Sequence, residues 1–105
     1  MKKRIGLTLL SVAAMFTATA VFAQSGADTY KAKCAMCHAA DGSGATPAGK
    51  ATKTPSFKSP EVTKRSTAEL IAATKNGKGK MPAYSGRLTG AQITEVVAYI
   101  RTLQK

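Results

Sequence analysis

Apolar and polar positions follow a helical period in three parts of the chain, and no part shows the two-residue alternation of a strand. The clearest helical stretch lies near the carboxyl end, where apolar residues recur at steps of three, four and seven and predict one buried face. These residues are Ile93, Val96, Val97, Ile100 and Leu103. The helix is expected to start at Thr89, because Thr89 and Gln92 have the spacing of a capping box.

A second helix is predicted to start at Ser66, where Ser66 and Glu69 also match a capping box. Its inner face consists of Leu70, Ile71 and Thr74. Asn76 and Gly77 should end it, since both tolerate the left-handed conformation in which many helices stop. Residues 77–82 contain two glycines and one proline, which predicts an irregular segment.

The first helix is expected to run from Gly26 or Asp28 to Cys37, with Tyr30 and Cys34 on one face. Residues 39–65 are rich in Gly, Pro, Ser, Thr and Lys and predict a long loop with a short helical turn near residues 58–64. Loops of this length in a small domain usually have a function or surround something. The predicted fold class is therefore all-α, with three main helices and long loops.

Residues 1–23 have the pattern of a signal peptide. Lys2, Lys3 and Arg4 are followed by an uncharged, mostly apolar stretch, and small residues flank Phe22 before a cleavage site expected ahead of Gln24. An uncleaved membrane anchor is the alternative, although the threonines and alanines weaken it. The predicted organisation is a signal peptide, 1–23, and one domain, 24–105.

The remaining residues are few for a stable core, and they include no tryptophan and only two cysteines. A large apolar cofactor would complete such a core. The whole chain has 16 basic and five acidic residues, a net charge of +11, and loss of the first 23 residues would leave +8. This charge suits an acidic protein or an anionic surface. Nucleic acid is disfavoured by export and by the dispersed basic residues.

The strongest chemical signal is Cys34-Ala35-Met36-Cys37-His38. Cys-x-x-Cys-His is the attachment motif of c-type haem, in which two thiols bond to the porphyrin and the histidine ligates the iron. A zinc site would need more ligands than two cysteines and the single histidine of this chain. A thioredoxin-like pair would accompany a strand–helix unit, and a structural disulfide would leave His38 unexplained.

The second axial ligand can be narrowed by elimination, because His38 is the only histidine. Met36 lies inside the attachment motif, whereas Met81, the predicted second ligand, lies in the irregular segment between two helices and can approach from the other side. A packing role for Met81, a lysine ligand and an open site remain alternatives. Pro47 is the candidate carbonyl for the second ring nitrogen of His38.

Eight basic residues bracket these segments and are expected to rim an exposed haem edge. They are Lys31, Lys33, Lys50, Lys53, Lys75, Lys78, Lys80 and Arg87. An ordinary solvated surface is the alternative for any one of them.

These motifs resemble class I cytochromes c in their small bacterial single-haem form. The attachment motif, the segment 76–84 around Met81 and the last helix are similar to the family's haem site, methionine loop and C-terminal helix. The resemblance implies the cytochrome c fold wrapped round one covalent haem, with a close crossing of the first and last helices. Gly26, Tyr30, Val96 and Tyr99 occupy the matching positions of that crossing.

Pro47 stands where the family has a histidine-orienting proline, but Thr46 replaces the glycine that often precedes it. With no tryptophan, Tyr84 and Arg87 are the candidates for a haem propionate contact. The implied protein is not an enzyme. It is a monomeric periplasmic electron carrier that docks briefly with acidic redox proteins or membrane respiratory complexes. A peroxidase and a haem-based gas sensor are the competing classes, and both require an open iron position.

Overall fold

The computed structural model describes Gly6 and residues 19–105, and the regular elements of this part of the chain are all helices, without a strand. Six helices follow one another in the described residues. They are α1 (Thr19–Lys33), α2 (Ala35–His38), α3 (Pro47–Ala51), α4 (Pro60–Thr63), α5 (Thr67–Asn76) and α6 (Gly90–Leu103). The three long ones, α1, α5 and α6, match the predicted main helices, so the all-α fold class is confirmed.

Helices α1 and α6 cross closely at Gly26. A methyl group built on Gly26 would lie 2.7 Å from the Glu95 carbonyl oxygen, so only hydrogen fits between the two backbones. Next to this point the rings of Tyr30 and Tyr99 are 5.3 Å apart between centroids and tilted by 54°. The crossing implied by the resemblance is therefore present, with a small residue and an aromatic pair where they were expected.

The first helix differs from the prediction at both ends. It begins at Thr19, whereas we expected a start at Gly26 or Asp28, and it is interrupted at Cys34, whose φ of −118° departs from helical values. Most of the predicted signal peptide, residues 1–5 and 7–18, lies outside the described residues. Among the described helices, none is both long enough and apolar enough to cross a bilayer.

The long loop contains the helix α3, which the sequence analysis did not predict, and α4, which matches the expected short turn. Helix α3 starts with Pro47 in its first turn, and the Thr46 hydroxyl accepts a hydrogen bond from the Gly49 N–H at 2.9 Å. Proline suits the first turn of a helix because its missing N–H would have no partner there. The Thr–Pro pair is therefore a helix start.

Both predicted capping boxes are formed. The Ser66 hydroxyl accepts from the Glu69 N–H at 3.1 Å and the Thr89 hydroxyl from the Gln92 N–H at 3.1 Å, and each N3 side chain returns the bond. Gly77, with φ of +75°, ends α5 as expected. The buried core combines α1, α6 and the loop, and its members are Tyr30, Phe57, Val62, Val96, Val97 and Ile100.

Candidate functional site: a cofactor cleft

A cavity of about 380 Å³ opens between the attachment motif and the segment that contains Met81. Cys34, Cys37 and His38 line it from one part of the chain, and Met81 and Pro82 from another. A smaller recess of about 70 Å³ shares several of these residues and reaches the core at Val96 and Ile100. The fold thus brings the four residues predicted to hold a cofactor to one cleft.

The attachment motif is held as a single tight turn. Tyr30 precedes it on α1 and donates a hydrogen bond from its hydroxyl to the Ala39 carbonyl at 2.5 Å. Beyond the turn, the Gly44 N–H donates to the His38 carbonyl at 2.8 Å, and the Thr46 hydroxyl donates to the Met36 carbonyl at 2.5 Å. Both sides of the motif are therefore fixed by groups outside it.

The two cysteines are free thiols and face the cleft half-buried. Burial raises the pKa of the Cys34 thiol to about 11. A reactive redox pair of the thioredoxin type needs a cysteine with a lowered pKa, because the thiolate is the nucleophile. The environment of Cys34 therefore argues against that alternative and leaves the thiol protonated at neutral pH.

The His38 ring lies flat against Phe57, with centroids 4.5 Å apart and an angle of 16° between the planes. Its Nδ1 is buried and has no hydrogen-bond partner among the described residues. The predicted hydrogen bond from His38 Nδ1 to the Pro47 carbonyl is therefore not formed in the structure, where Pro47 starts α3 and the Thr46 hydroxyl donates to the Met36 carbonyl. Burial lowers the pKa of His38, so the neutral imidazole is favoured.

Met81 projects from a tight loop after α5. The Lys78 and Met81 backbones form a reciprocal pair of hydrogen bonds at 3.1 and 2.9 Å. Gly77 starts the loop, where a side chain would be strained by its positive φ and would meet the Met81 carbonyl oxygen at 2.7 Å. Farther on, the Tyr84 N–H donates to the Thr74 carbonyl at 3.0 Å, which ties the end of the loop back to α5. Met81 is half-buried against the cleft.

Positive charge predominates around the cleft. Four of the eight basic residues singled out in the sequence line it, namely Lys33, Lys53, Lys78 and Lys80, while the other four do not. Arg65, which the sequence analysis missed, also lines it, and Glu61 is the acidic residue there.

The two candidate propionate contacts are placed differently. The buried Tyr84 lines the cleft, but its hydroxyl already donates to the Lys33 carbonyl at 3.0 Å. Arg87 packs over the Tyr84 ring, 5.8 Å from its centroid, and does not line the cleft. The propionate contact of either residue stays a prediction.

The residues of the cleft fit a haem c. They provide two thiols and an imidazole on one segment and a thioether on another, which is a donor set suited to covalent attachment and iron ligation. The volume is in the range of ligand pockets, and the recess is lined mainly by apolar side chains. The surrounding cations would offset the charge of two propionates.

Phe57 and Thr46 contact the candidate site, and sequence reasoning missed these contacts. Phe57 is the sole aromatic residue between Tyr30 and Tyr84, and this isolation within a polar loop was the available signal. Thr46 was noted for the glycine it replaces, and the signal for its role was the Thr–Pro start of a helix. The contacts that they make come from distant parts of the chain and are not readable from spacing.

Comparison with known proteins agrees with this geometry. Residues 22–100 match the family described as cytochrome c oxidase, cbb3-type, subunit III. Cytochrome c6 from Nostoc sp. (strain PCC 7120 / SAG 25.82 / UTEX 2576) is 38% identical over 105 residues, covering 95% of this chain and 92% of the relative. Cytochrome c6 from Picosynechococcus sp. (strain ATCC 27264 / PCC 7002 / PR-6) is 36% identical over 109 residues, with the same coverage.

A solved structure, the KustC0563 c-type cytochrome, superposes with a TM-score of 0.69 at 26% identity. It covers 76% of this chain and 98% of its own. The fold, the cleft and these similarities lead to one conclusion: the chain belongs to the cytochrome c family and is a small single-haem class I cytochrome c.

Proposed function

We propose that this member of a family of small electron carriers transfers single electrons in the periplasm through one covalent haem c with histidine and methionine ligands. The observation that carries the proposal is the convergence of Cys34, Cys37 and His38 with Met81 on one cleft. These residues come from chain segments separated by all of α3, α4 and α5. Their arrangement on one cleft is what a shared cofactor would require.

Cys34 and Cys37 would attach the haem by adding their thiols across its two vinyl groups. The Thr46 hydroxyl holds the Met36 carbonyl in the turn between the cysteines and so helps to keep their spacing, while the Gly44 N–H holds the His38 carbonyl just after it.

His38 and Met81 would be the two residues that hold the iron. The lowered pKa of His38 keeps its imidazole neutral, which is the state that ligates a metal. The Lys78–Met81 hydrogen bonds restrict the loop and so hold the thioether at the cleft. Compared with two histidine ligands, a histidine–methionine pair favours ferrous iron and raises the reduction potential of the haem.

When bound, the haem supplies a one-electron iron couple. The chain would hold the iron through His38 and Met81, and the recess beside these residues is lined mainly by apolar side chains. With both residues bound to the iron, no position would remain for peroxide or a gas, so the proposed role is a carrier and not an enzyme or sensor.

Docking would take place at the open side of the cleft, where Lys33, Lys53, Lys78 and Lys80 lie. Their charge suits acidic redox proteins or membrane respiratory complexes and speeds brief encounters. We propose a monomer that does not bind nucleic acid. We further propose that residues 1–23 direct export and are removed before Gln24, since haem c is attached outside the cytoplasm.

The test is expression of the full chain in a host with active haem-ligation machinery, followed by mass spectrometry and absorption spectra of periplasmic protein. We expect a chain that starts at Gln24, carries one haem and shows the weak long-wavelength charge-transfer band of ferric iron bound to methionine. Colourless protein of bare-polypeptide mass would contradict the proposal. A high-spin ferric spectrum would instead indicate an open site, as in a peroxidase or a gas sensor.

Two methionine variants test whether Met81 is the iron ligand. Met81→Ala should keep the covalent haem but lose the charge-transfer band and lower the reduction potential. Met36→Ala is the matched control, because Met36 is 77% exposed and its side chain lies away from the core. It should leave both the band and the potential unchanged.

A further inference from the structure

The segment that carries Met81 is fixed by its backbone on one side only. We call residues 77–88 the methionine segment. Their backbone hydrogen bonds either stay within the segment or return to α5, as the bond from the Tyr84 N–H to the Thr74 carbonyl does at 3.0 Å. These bonds leave the segment free to move away from the opposite wall of the cleft, which carries the attachment motif.

The Tyr84 side chain connects the methionine segment to that opposite wall. Tyr84 is 8% exposed and is the one buried residue of residues 77–88, all of which the structure describes. Its hydroxyl donates to the Lys33 carbonyl at 3.0 Å, across 51 positions of the chain. Lys33 is the last residue of α1 and directly precedes Cys34. A single buried hydroxyl therefore joins the two walls of the cleft.

The Lys33 carbonyl needs a donor because the first helix is interrupted at Cys34. In a continuous helix this carbonyl would accept from the N–H four residues later, that of Cys37. Here the Cys37 N–H donates instead to the Cys34 carbonyl at 3.3 Å. The last carbonyls of a helix depend on side chains or water for a partner. The break of the helix and the Tyr84 hydroxyl are thus complementary.

We propose that Tyr84 is a positioning residue for Met81, and that its hydrogen bond to the Lys33 carbonyl holds the methionine segment closed against the cleft. The inference rests on the proposed role of Met81 as iron ligand. Met81 is only three residues from Tyr84, so a segment that moves away from Lys33 carries the thioether with it. This role differs from the propionate contact that the sequence suggested for Tyr84.

The first test compares ferric holo-proteins of the wild type and Tyr84→Phe, which keeps the ring and removes the hydroxyl. Cyanide can bind the ferric iron only after the methionine has left it, so the rate of cyanide binding reports how often the segment opens. Stopped-flow absorbance should show binding roughly five-fold faster in Tyr84→Phe, the effect expected from the loss of one buried neutral hydrogen bond.

Tyr30→Phe is the matched control. Tyr30 is also buried, and its hydroxyl also donates to a backbone carbonyl, that of Ala39, outside the methionine segment. This variant should lose stability and yet bind cyanide at the wild-type rate. A wild-type rate in Tyr84→Phe would overturn the proposal, and so would equal acceleration by the two variants. A shifted reduction potential in Tyr84→Phe without faster binding would indicate a propionate contact instead and would also overturn it.

Amide hydrogen exchange followed by NMR of the ferrous proteins gives a second readout. The N–H groups of Lys78, Met81 and Tyr84 are hydrogen-bonded within the segment or to α5. Their exchange should be faster in Tyr84→Phe than in the wild type and unchanged in Tyr30→Phe, because only the first variant releases the segment. Unchanged exchange in Tyr84→Phe would contradict the proposal.

A third measurement needs no variant. In the ferrous wild-type protein the Tyr84 hydroxyl proton should exchange slowly with water and show a nuclear Overhauser contact with protons of Lys33. The absence of this contact would overturn the proposal even if Tyr84→Phe does not accumulate with haem.

Failure of the proposed function would look different. In that case the wild-type ferric protein would itself lack the charge-transfer band of a methionine ligand. If only the role of Tyr84 fails, the wild-type protein shows the band, and loss of the Tyr84 hydroxyl changes neither cyanide binding nor amide exchange.

Discussion

At the scale of single residues, Tyr30 links the core to the attachment motif. The side chain is fully buried, packs against Phe57 and Tyr99, and donates its hydroxyl to the Ala39 carbonyl just past His38. Burial raises the pKa of Tyr30 well above the 10.0 of a free tyrosine, because the charged phenolate would lose its hydration. One residue therefore combines packing, a hydrogen bond and a pH dependence.

Tyr30→Phe should lower the free energy of unfolding at neutral pH by about 1 kcal/mol, because the Ala39 carbonyl loses its donor. The raised pKa of Tyr30 also predicts the direction in which stability changes with pH. Stabilisation from keeping Tyr30 neutral is complete below pH 10 and is lost as the pH rises above it. Denaturant titrations from pH 7 to 11 should therefore show a shallower alkaline loss of stability in Tyr30→Phe. An identical pH slope in the two proteins would contradict this reading of Tyr30.

Glycines give the sharpest pair of single-residue variants. Gly26→Ala places a methyl group 2.7 Å from the Glu95 carbonyl oxygen, and the two helices must separate. We expect a loss of about 1–3 kcal/mol of stability, the usual cost of overpacking.

Gly90→Ala is the control for Gly26→Ala. Gly90 is the first residue of α6, and nothing lies within 4 Å of the added methyl group. Because alanine favours a helix over glycine, thermal unfolding of Gly90→Ala should occur at or above the wild-type temperature. Equal destabilisation by both variants would show that the loss of stability in Gly26→Ala does not come from the close packing of α1 against α6.

At the scale of elements, the short helices α2 and α3 act as one unit joined by Thr46. The Thr46 hydroxyl accepts from the Gly49 N–H and so caps α3, while it donates to the Met36 carbonyl of the attachment turn. Gly49 packs directly against the Cys37 carbonyl oxygen. Thr46 and Gly49 therefore hold the attachment motif in place.

Thr46→Ala should cost about 2 kcal/mol of stability, since it removes both a helix cap and a donor to a carbonyl. Thr46→Ser keeps the hydroxyl and should restore most of the loss. Guanidinium unfolding curves of the two holo-proteins provide the measurement. If Ser and Ala are equally destabilising, the methyl group of Thr46 and not its hydroxyl provides the contact.

At the scale of the whole molecule, the chain is strongly basic, and the fold selects which charges matter. Lys33, Lys53, Arg65, Lys78 and Lys80 line the cleft, whereas Lys75 is exposed at the end of α5 and does not. Long-range attraction of an acidic partner depends on charges near the docking point and is screened by salt.

Replacement of Lys78 and Lys80 by glutamate should slow association with an acidic redox protein by roughly ten-fold or more at low ionic strength, within the range of electrostatic steering. Lys75→Glu together with Lys50→Glu changes the net charge equally away from the cleft and should slow it much less. Stopped-flow kinetics over a salt series measures both. Equal slowing by the two double variants would show that total charge, not its place at the cleft, controls docking.

The amino-acid sequence alone determined the features that depend on neighbours in the chain. The capping boxes at Ser66 and Thr89, the stop at Gly77 and the apolar face of α6 are local signals, and all were found where predicted. The attachment motif is equally local, because the spacing of its cysteines and histidine within five consecutive residues is enough to identify it.

Only the tertiary structure decided what lies opposite that motif. Three features depend on groups brought together from separate segments. They are the break of the first helix at Cys34, the hydrogen bond from the Thr46 hydroxyl to the Met36 carbonyl, and the stack of His38 on Phe57. The expected Pro47 contact failed for the same reason: a position relative to the motif does not fix which atom a folded loop presents. Periodicity and capping follow from bonded geometry, whereas the partner of a buried ring follows from packing that no local pattern encodes.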